Sequence, residues 1–187
     1  MPIYQNSTVD SEKLVLGNAT VEVAASVGAT FVNIGAGILN SFNHVPEMYD
    51  TQAGNAPDPI EGVANETVTI DFVMIEYDSS VMNVMYGGLF TSTTSSSVQT
   101  IHAGGLASTV ILPRAWRFTN TRTNAAGATV QTQLTVYRAT LDTGPAFTFK
   151  SDNDTDPIMV MPGTLTAKID GNLTAGQQLY TITHDEG

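Results

Sequence analysis

Thr67 to Leu89 reads TVTIDFVMIEYDSSVMNVMYGGL, and no other stretch constrains the fold as strongly. Val68, Ile70, Phe72 and Met74 alternate with Thr69 and Asp71, the two-residue period of a strand with one buried face. From Val73 to Ile75 both faces turn apolar, so the strand passes there into a covered interior. Asp78 is placed to stop it, because a short carboxylate accepts hydrogen bonds from the free amides of a helix that starts there. Val81, Met82, Val84 and Met85 follow at helical spacing, and Gly87-Gly88 supplies the positive φ that ends a helix. The pattern predicts a strand, a cap, one short α-helix over about 79–86, and a stop.

The rest of the chain favours strands, with Thr and Val abundant and the helix-surface residues Lys and Glu scarce. At 187 residues, one domain spanning 1–187 buries enough surface to need no metal or disulfide. The absence of cysteine fits folding in a reducing cytoplasm. The N-terminal segment lacks a basic stretch followed by an apolar one, and no apolar run is long enough to cross a bilayer. Neither a secretory signal nor a membrane partner is expected. A net charge of -11 on only 7 basic residues argues against a surface that grips phosphates.

That charge is unevenly placed. No Lys or Arg occurs from Leu14 to Pro113, where Glu22, Glu47, Asp50, Asp58, Glu61, Glu66, Asp71, Glu76 and Asp78 all fall. Arg114, Arg117, Arg122 and Arg138 then follow within a short span. One reading is a solvated acidic surface with arginines for local pairing. The other is self-complementarity, the basic region of one copy meeting the acidic region of the next. On the second, reversing Arg114 and Arg117 to Glu should spare the monomer and impair assembly.

Thr20 to Val27 alternates as a strand. Thr30 to Leu39 contains Gly35-Ala36-Gly37, but Asn40 stands where a dinucleotide fingerprint needs its third glycine, so a turn or bulge between strands is expected. Asn40 to Asp50 is a candidate strand whose Pro46 suggests an edge. Residues 51–66, with two prolines, two glycines and three acids, predict an extended loop. Residues 91–97, TSTTSSS, predict a flexible Ser/Thr-rich loop or hairpin tip. Ser108 to Asn120 and Thr129 to Leu141 predict a hairpin turning at Asn124 to Gly127. Its anchors are Val110, Leu112, Trp116 and Phe118 on one strand, with Val130, Leu134, Val136 and Tyr137 on the other. A short strand at Ala146 to Lys150, an acidic turn at 151–157, Thr164 to Ile169, a turn at Asp170 to Asn172, and Leu179 to Thr183 complete the sheet. The expected fold is mainly β, a β-sandwich or barrel of two packed antiparallel sheets flanked by the one helix.

No reaction chemistry is spelled out. His44, His102 and His184 lack ligand-spaced neighbours, no serine sits in a G-x-S-x-G elbow, and there is no thiol. Glu47 with Asp50 and Asp71 with Glu76 are carboxylate pairs without an aromatic sugar platform. Asp152, Asp154 and Asp156 have calcium-loop spacing, but Pro157 and Gly163 occupy the positions of the required Gly and Glu. An enzyme, a metal and a cofactor are therefore not expected.

The order of these pieces resembles the major tail tube proteins of long-tailed, siphophage-type bacteriophages, from about Val21 to Ile182. The matching pieces are Val32 to Gly35 leading into a strand with Glu47 and Tyr49-Asp50, then the proline-rich loop, and then the strand ending Ile75-Glu76-Tyr77 with its helix and Gly87-Gly88. Later come LTVYRA at Leu134 to Ala139, Asp170-Gly171, and the closing Gly176 to Ile182. Residues 91–97 have no counterpart in that family.

The resemblance implies a structural virion protein whose copies form hexameric rings stacked as a tail tube. The tube would surround a tape-measure protein, meet terminator or baseplate proteins, and pass DNA in transit without specific binding. It would assemble in the host cytoplasm and reside in the virion tail. Glu47, Asp50, Thr69 and Asp71 would face the lumen, and an acidic lumen lets a phosphate backbone slide. Asp58, Glu61, Glu66, Arg114, Arg117, Arg122 and Arg138 would lie between subunits or rings. The competing reading is another virion β-domain, such as a capsid decoration or receptor-binding module.

Overall fold

A computed structural model describes residues 17–51, 60–77, 82–86, 90–95, 98–103, 112–123, 126–143 and 161–185. Its elements are β1 (Asn18–Ala24), β2 (Val32–Thr51), β3 (Ile60–Tyr77), α1 (Met82–Met85), β4 (Phe90–Ser95), β5 (Val98–Ala103), β6 (Arg114–Thr123), β7 (Thr129–Leu141), β8 (Met161–Ala167) and β9 (Tyr180–Asp185). Seven strands form one antiparallel sheet in the order β6-β1-β2-β3-β8-β7-β9, and β6 also pairs with β7. That extra pairing closes a ring of β6, β1, β2, β3, β8 and β7. Of the two architectures the sequence left open, the sheet adopts the barrel.

The closure is steeply sheared. Following the register from Val32 leads to Val23 and Trp116, then two residues along β6 to Arg114, and on through Ala139, Ala167 and Val68 to His44. The circuit thus returns to β2 well beyond where it left, as a tilted barrel requires. β7 allows this because it changes partner on one edge: Gln131 to Val136 pair with β9, and Ala139 to Leu141 pair with β8.

Alternate residues fill the interior, including Val21, Val23, Ile34, Val68, Ile70, Phe72, Met74, Trp116, Phe118, Leu134, Met161 and Leu165. Phe72 from one wall meets Trp116 and Phe118 from the opposite wall at ring separations of 5.7 and 5.5 Å. Gly163 is needed beneath it, since a Cβ there would lie 2.6 Å from Phe72 Cζ.

The helix is present as one turn inside the predicted span. Val84, Met85 and Tyr86 pack into the core with Phe90, and the Tyr86 and Phe90 rings meet edge to face at 5.0 Å. The Tyr86 hydroxyl donates to Met161 Sδ at 3.7 Å, so this turn plugs the barrel end near Met161. Asp78, Gly87 and Gly88, its expected cap and stop, lie outside the described residues, as do Val110, Ala146 to Lys150 and the aspartates of 151–157.

Burial pushes the Tyr86 hydroxyl up from 10.0 to about 12. Unfolded chains ionise first as the pH passes 10.0, so stability is expected to fall between pH 10.0 and about 12. The loss attributable to this one group is about 2–3 kcal/mol. Tyr86→Phe should remove that alkaline loss and leave stability at neutral pH nearly unchanged, as urea titrations at the two pH values would show.

The sequence-based loop at 51–66 is corrected. β2 runs to Thr51 and β3 begins at Ile60, paired as Thr51↔Ile60 and onward, so 60–66 is strand. Alternation reports one face being buried. Asn43 to Glu47 are exposed in succession, so no such face marks the start of this ribbon. At 91–97 the hairpin half of the expectation holds and the loop half is corrected: β4 and β5 pair from Phe90↔Ala103 to Ser95↔Val98 as a separate two-stranded sheet, Phe90 is buried, and 96–97 lie outside the described residues. Gly35-Ala36-Gly37 is no turn between strands but part of β2, with Gly35 at φ 130° and a register shift at Ala36/Gly37, so the bulge half of that expectation holds. Leu112 anchors nothing, being outside β6 and 52% exposed.

Candidate assembly surfaces

The outward residues of β2, β3 and β8 line up in rungs. Ser41, Asp71 and Thr164 form one rung, and Asn43, Thr69 and Thr166 form the next. Ser41 Oγ donates to Asp71 Oδ2 and Thr164 Oγ1 to Asp71 Oδ1, each at 2.8 Å. These two hydrogen bonds, that from Ser41 the stronger influence, hold the Asp71 carboxyl below its ordinary value of 3.8 against a smaller opposing effect of burial. The group therefore stays charged, and its contribution to stability is present above pH 3.8 and lost as the pH falls through its lower folded value. Asp142, just past β7, adds a second fixed carboxylate, accepting from Thr140 Oγ1 at 3.2 Å and from Thr166 Oγ1. The wall is thus a lattice of hydroxyls around two carboxylates. Lys168, one residue past β8, is the first cation met along that strand.

Thr69 and Asp71 therefore share the outer wall, as the sequence suggested. Asp142, Thr164 and Thr166 were missed. The alternation of Thr164 and Thr166 with buried Gly163, Leu165 and Ala167 was the available signal.

Glu47 and Asp50 are elsewhere. Among the described residues, β2 has no partner but β3 beyond Leu39, and β3 none but β2 before Val68. The hairpin past His44 and Val68 is an arm about 23 Å long at ~3.3 Å per residue. It carries exposed Val45 and Glu47, half-buried Glu66, and the residue pair Asp50↔Glu61. Asp58 lies outside the described residues. At the arm's base, His44 Nδ1 and Tyr180 Oη hydrogen-bond at 3.2 Å, and His44 Nε2 lies 3.8 Å from Glu66 Oε1. These groups line a cleft of about 290 Å³ shared with Ile169, Gln178 and Leu179.

The four arginines are not one patch. Arg114 and Arg122 sit near opposite ends of β6, and Arg138 is exposed on β7 beside the Arg114 end. Arg117 is engaged within the chain. Its Nη1 lies 3.5 Å from Glu22 Oε2, and its guanidinium stacks 3.7 Å from the centre of the Phe31 ring. Reversal at Arg117 would put a carboxylate beside Glu22 and remove the stacking, so Arg117→Glu should destabilise the monomer by about 1–2 kcal/mol in thermal unfolding. The double reversal at Arg114 and Arg117 is consequently no clean test of assembly.

Among the described residues no cluster of His, Asp and Glu has the makings of a metal site, and no helix is long and apolar enough to cross a membrane. No protein-family model and no curated protein matches the chain. Solved structures similar to it include the following two. The cryo-EM structure of the anti-feeding prophage (AFP) baseplate, 6-fold symmetrised, is 8% identical with a TM-score of 0.45, over 93% of this chain and 96% of that one. A crystal structure of Hcp protein is 10% identical with a TM-score of 0.38, over 90% of this chain and 98% of that one.

Proposed function

We propose that the protein is a structural, non-enzymatic subunit of a phage tail tube of the siphophage type. Its copies form rings, the rings stack, and the bore conducts DNA past a tape-measure protein between terminator and baseplate partners. The observation that carries this reading is the pairing of a closed, rigid barrel with a free acidic arm. A barrel leaves few edges through which to join neighbours, whereas an arm whose outer edges have no partner among the described residues, with Val45 and Glu47 exposed, is incomplete alone. The wall of Thr69, Asp71, Asp142, Thr164 and Thr166 suits a bore: the Thr164 and Thr166 hydroxyls are bonded to its two carboxylates and its charge repels phosphate. The resemblance in the order of sequence pieces points the same way.

Negative-stain microscopy and sedimentation of the purified chain at increasing concentration test it. Rings and stacked tubes are expected. A strict monomer, or a closed trimer of the kind a decoration or receptor-binding module forms, would overturn it.

A further inference from the structure

We propose that His44 is a proton-controlled clasp that holds the root of the arm against β9. Three strands meet through this one side chain. His44 lies on β2 in the last rung shared with the barrel wall, where its partner Val68 of β3 is itself paired with Ala167 of β8. The imidazole Nδ1 is 3.2 Å from Tyr180 Oη on β9, and Nε2 is 3.8 Å from Glu66 Oε1 on β3. The His44 and Tyr180 rings meet edge to face at 5.6 Å, and the Phe42 ring steadies Tyr180 from its own edge-to-face contact at 4.9 Å. Among the described residues β9 pairs only with β7. His44 therefore ties the arm's root to a strand that shares no ladder with either strand of the arm.

The imidazole makes this tie responsive to protons. In the neutral ring only one nitrogen carries hydrogen, so either the Tyr180 contact or the side facing Glu66 lacks a donor from the ring. Protonation supplies both. Nδ1–H then donates a charge-assisted bond to Tyr180 Oη, stronger than its neutral counterpart, while Nε2–H and the positive charge face the Glu66 carboxylate, which holds the ring turned towards β9. No second charge in the cleft opposes this. β3 contributes Glu66 and β9 contributes Tyr180, and the remaining lining of Ile169, Gly176, Gln178 and Leu179 is uncharged. Lys168, next in sequence to Ile169, and Glu47, three residues on from His44, do not line it. The cleft of about 290 Å³ also leaves space beneath the arm's root, so its set depends on the contacts of His44 and not on close packing. An imidazole gains its charge between about pH 8 and pH 5, so held arms gain on released ones as the pH falls through that range. A held arm is preorganised, which on the tube reading favours stacking.

The clasp belongs to a single copy, so its test is made on dilute chains whether or not tubes form. The chain has no cysteine, and Glu47→Cys places one nitroxide at an exposed position on the arm. Paramagnetic broadening of the amides of Gly176 to Leu179 then reports how often the arm lies over the cleft. With the His44 and Glu66 side chains 31% and 41% exposed, the ratio of held to released arms should be about three- to fivefold higher at pH 5.5 than at pH 8. His44→Gln, which keeps a polar group near Tyr180 but takes up no proton, should remove the pH dependence. Tyr180→Phe, which keeps the ring contacts and loses the oxygen, should remove it too, and Glu66→Gln should weaken it. Broadening that does not change with pH in the otherwise wild-type chain, or a pH dependence that persists in the His44 or Tyr180 variant, would overturn the clasp and leave the tube reading standing. A chain that shows the clasp in full and never assembles would overturn the tube reading alone.

Discussion

Replacing Phe72 with alanine is expected to lower the unfolding free energy by about 3–5 kcal/mol, a large share of the roughly 5–15 kcal/mol that holds a domain together. Phe72 is 1% exposed and lies where three strands meet through their side chains. It touches Trp116 and Phe118 across the barrel and seats its ring on Gly163 of β8. Removing the ring deletes buried apolar area and opens a void that a closed barrel cannot readily collapse, because its walls are tied by hydrogen bonds all round. The converse change, Gly163→Ala, forces a methyl to 2.6–2.7 Å from that ring and 3.1 Å from Leu141 Cδ1. It should cost about 1–3 kcal/mol through overpacking. The two sites are coupled, so Gly163→Ala should be tolerated better when Phe72 is Leu, and urea unfolding of the four chains of that cycle measures the coupling. Equal costs in both backgrounds would mean that Gly163 does not support this ring.

The residues that could be read from sequence are those with one face in the barrel. Val68 to Met74, Trp116 and Phe118, Val130 to Val136, and Leu165 all alternate because the interior is apolar and the exterior wet. Thr129–Leu141 was placed to the residue. What the sequence concealed lacks that contrast. Among the described residues the outer halves of β2 and β3, and β4 with β5, pair only as two-stranded ribbons, and Gly62 and Asn65 within β3 read as loop residues. The bulges at Ala36/Gly37, Leu39/Ser41 and Glu47/Met48 broke the alternation along β2 further, which is why one strand was read as two pieces.

The candidate assembly surfaces were legible in part for a related reason. Thr69 and Asp71 were visible as the polar half of an alternating strand. Their partners Ser41 and Thr164 are 30 and 93 residues away, and only register brings them together. The arginines misled because nearness in sequence is not nearness on a sheet. Arg117 and Arg122 differ by an odd number of positions and so point to opposite faces, and Arg117 is occupied by Glu22 and Phe31.

Cutting away the arm is expected to abolish stacking while the barrel stays folded. Val45 and Thr67 are paired in register, so joining them through Asn-Gly replaces 46–66 with a two-residue hairpin turn whose twist suits the strands. Among the described residues, none of the buried core is removed. Among the described residues the cut loses the His44–Glu66 contact, which is solvent-exposed enough to contribute at most about 1 kcal/mol. The melting transition should therefore remain cooperative and close to that of the full chain. The concentration needed for tubes should rise by about 100-fold or more, equivalent to ~2.7 kcal/mol per contact. Sedimentation should then find rings or single copies under conditions where, on the tube proposal, the full chain is expected to give tubes. If the arm of one copy joins the barrel of the next, the shortened chain should still bind to one end of a preformed tube and stop its growth there. Sub-stoichiometric amounts of it should shorten wild-type tubes seen by electron microscopy. Tubes of unchanged length, or a shortened chain that polymerises unaided, would mean that contacts between barrels alone drive stacking.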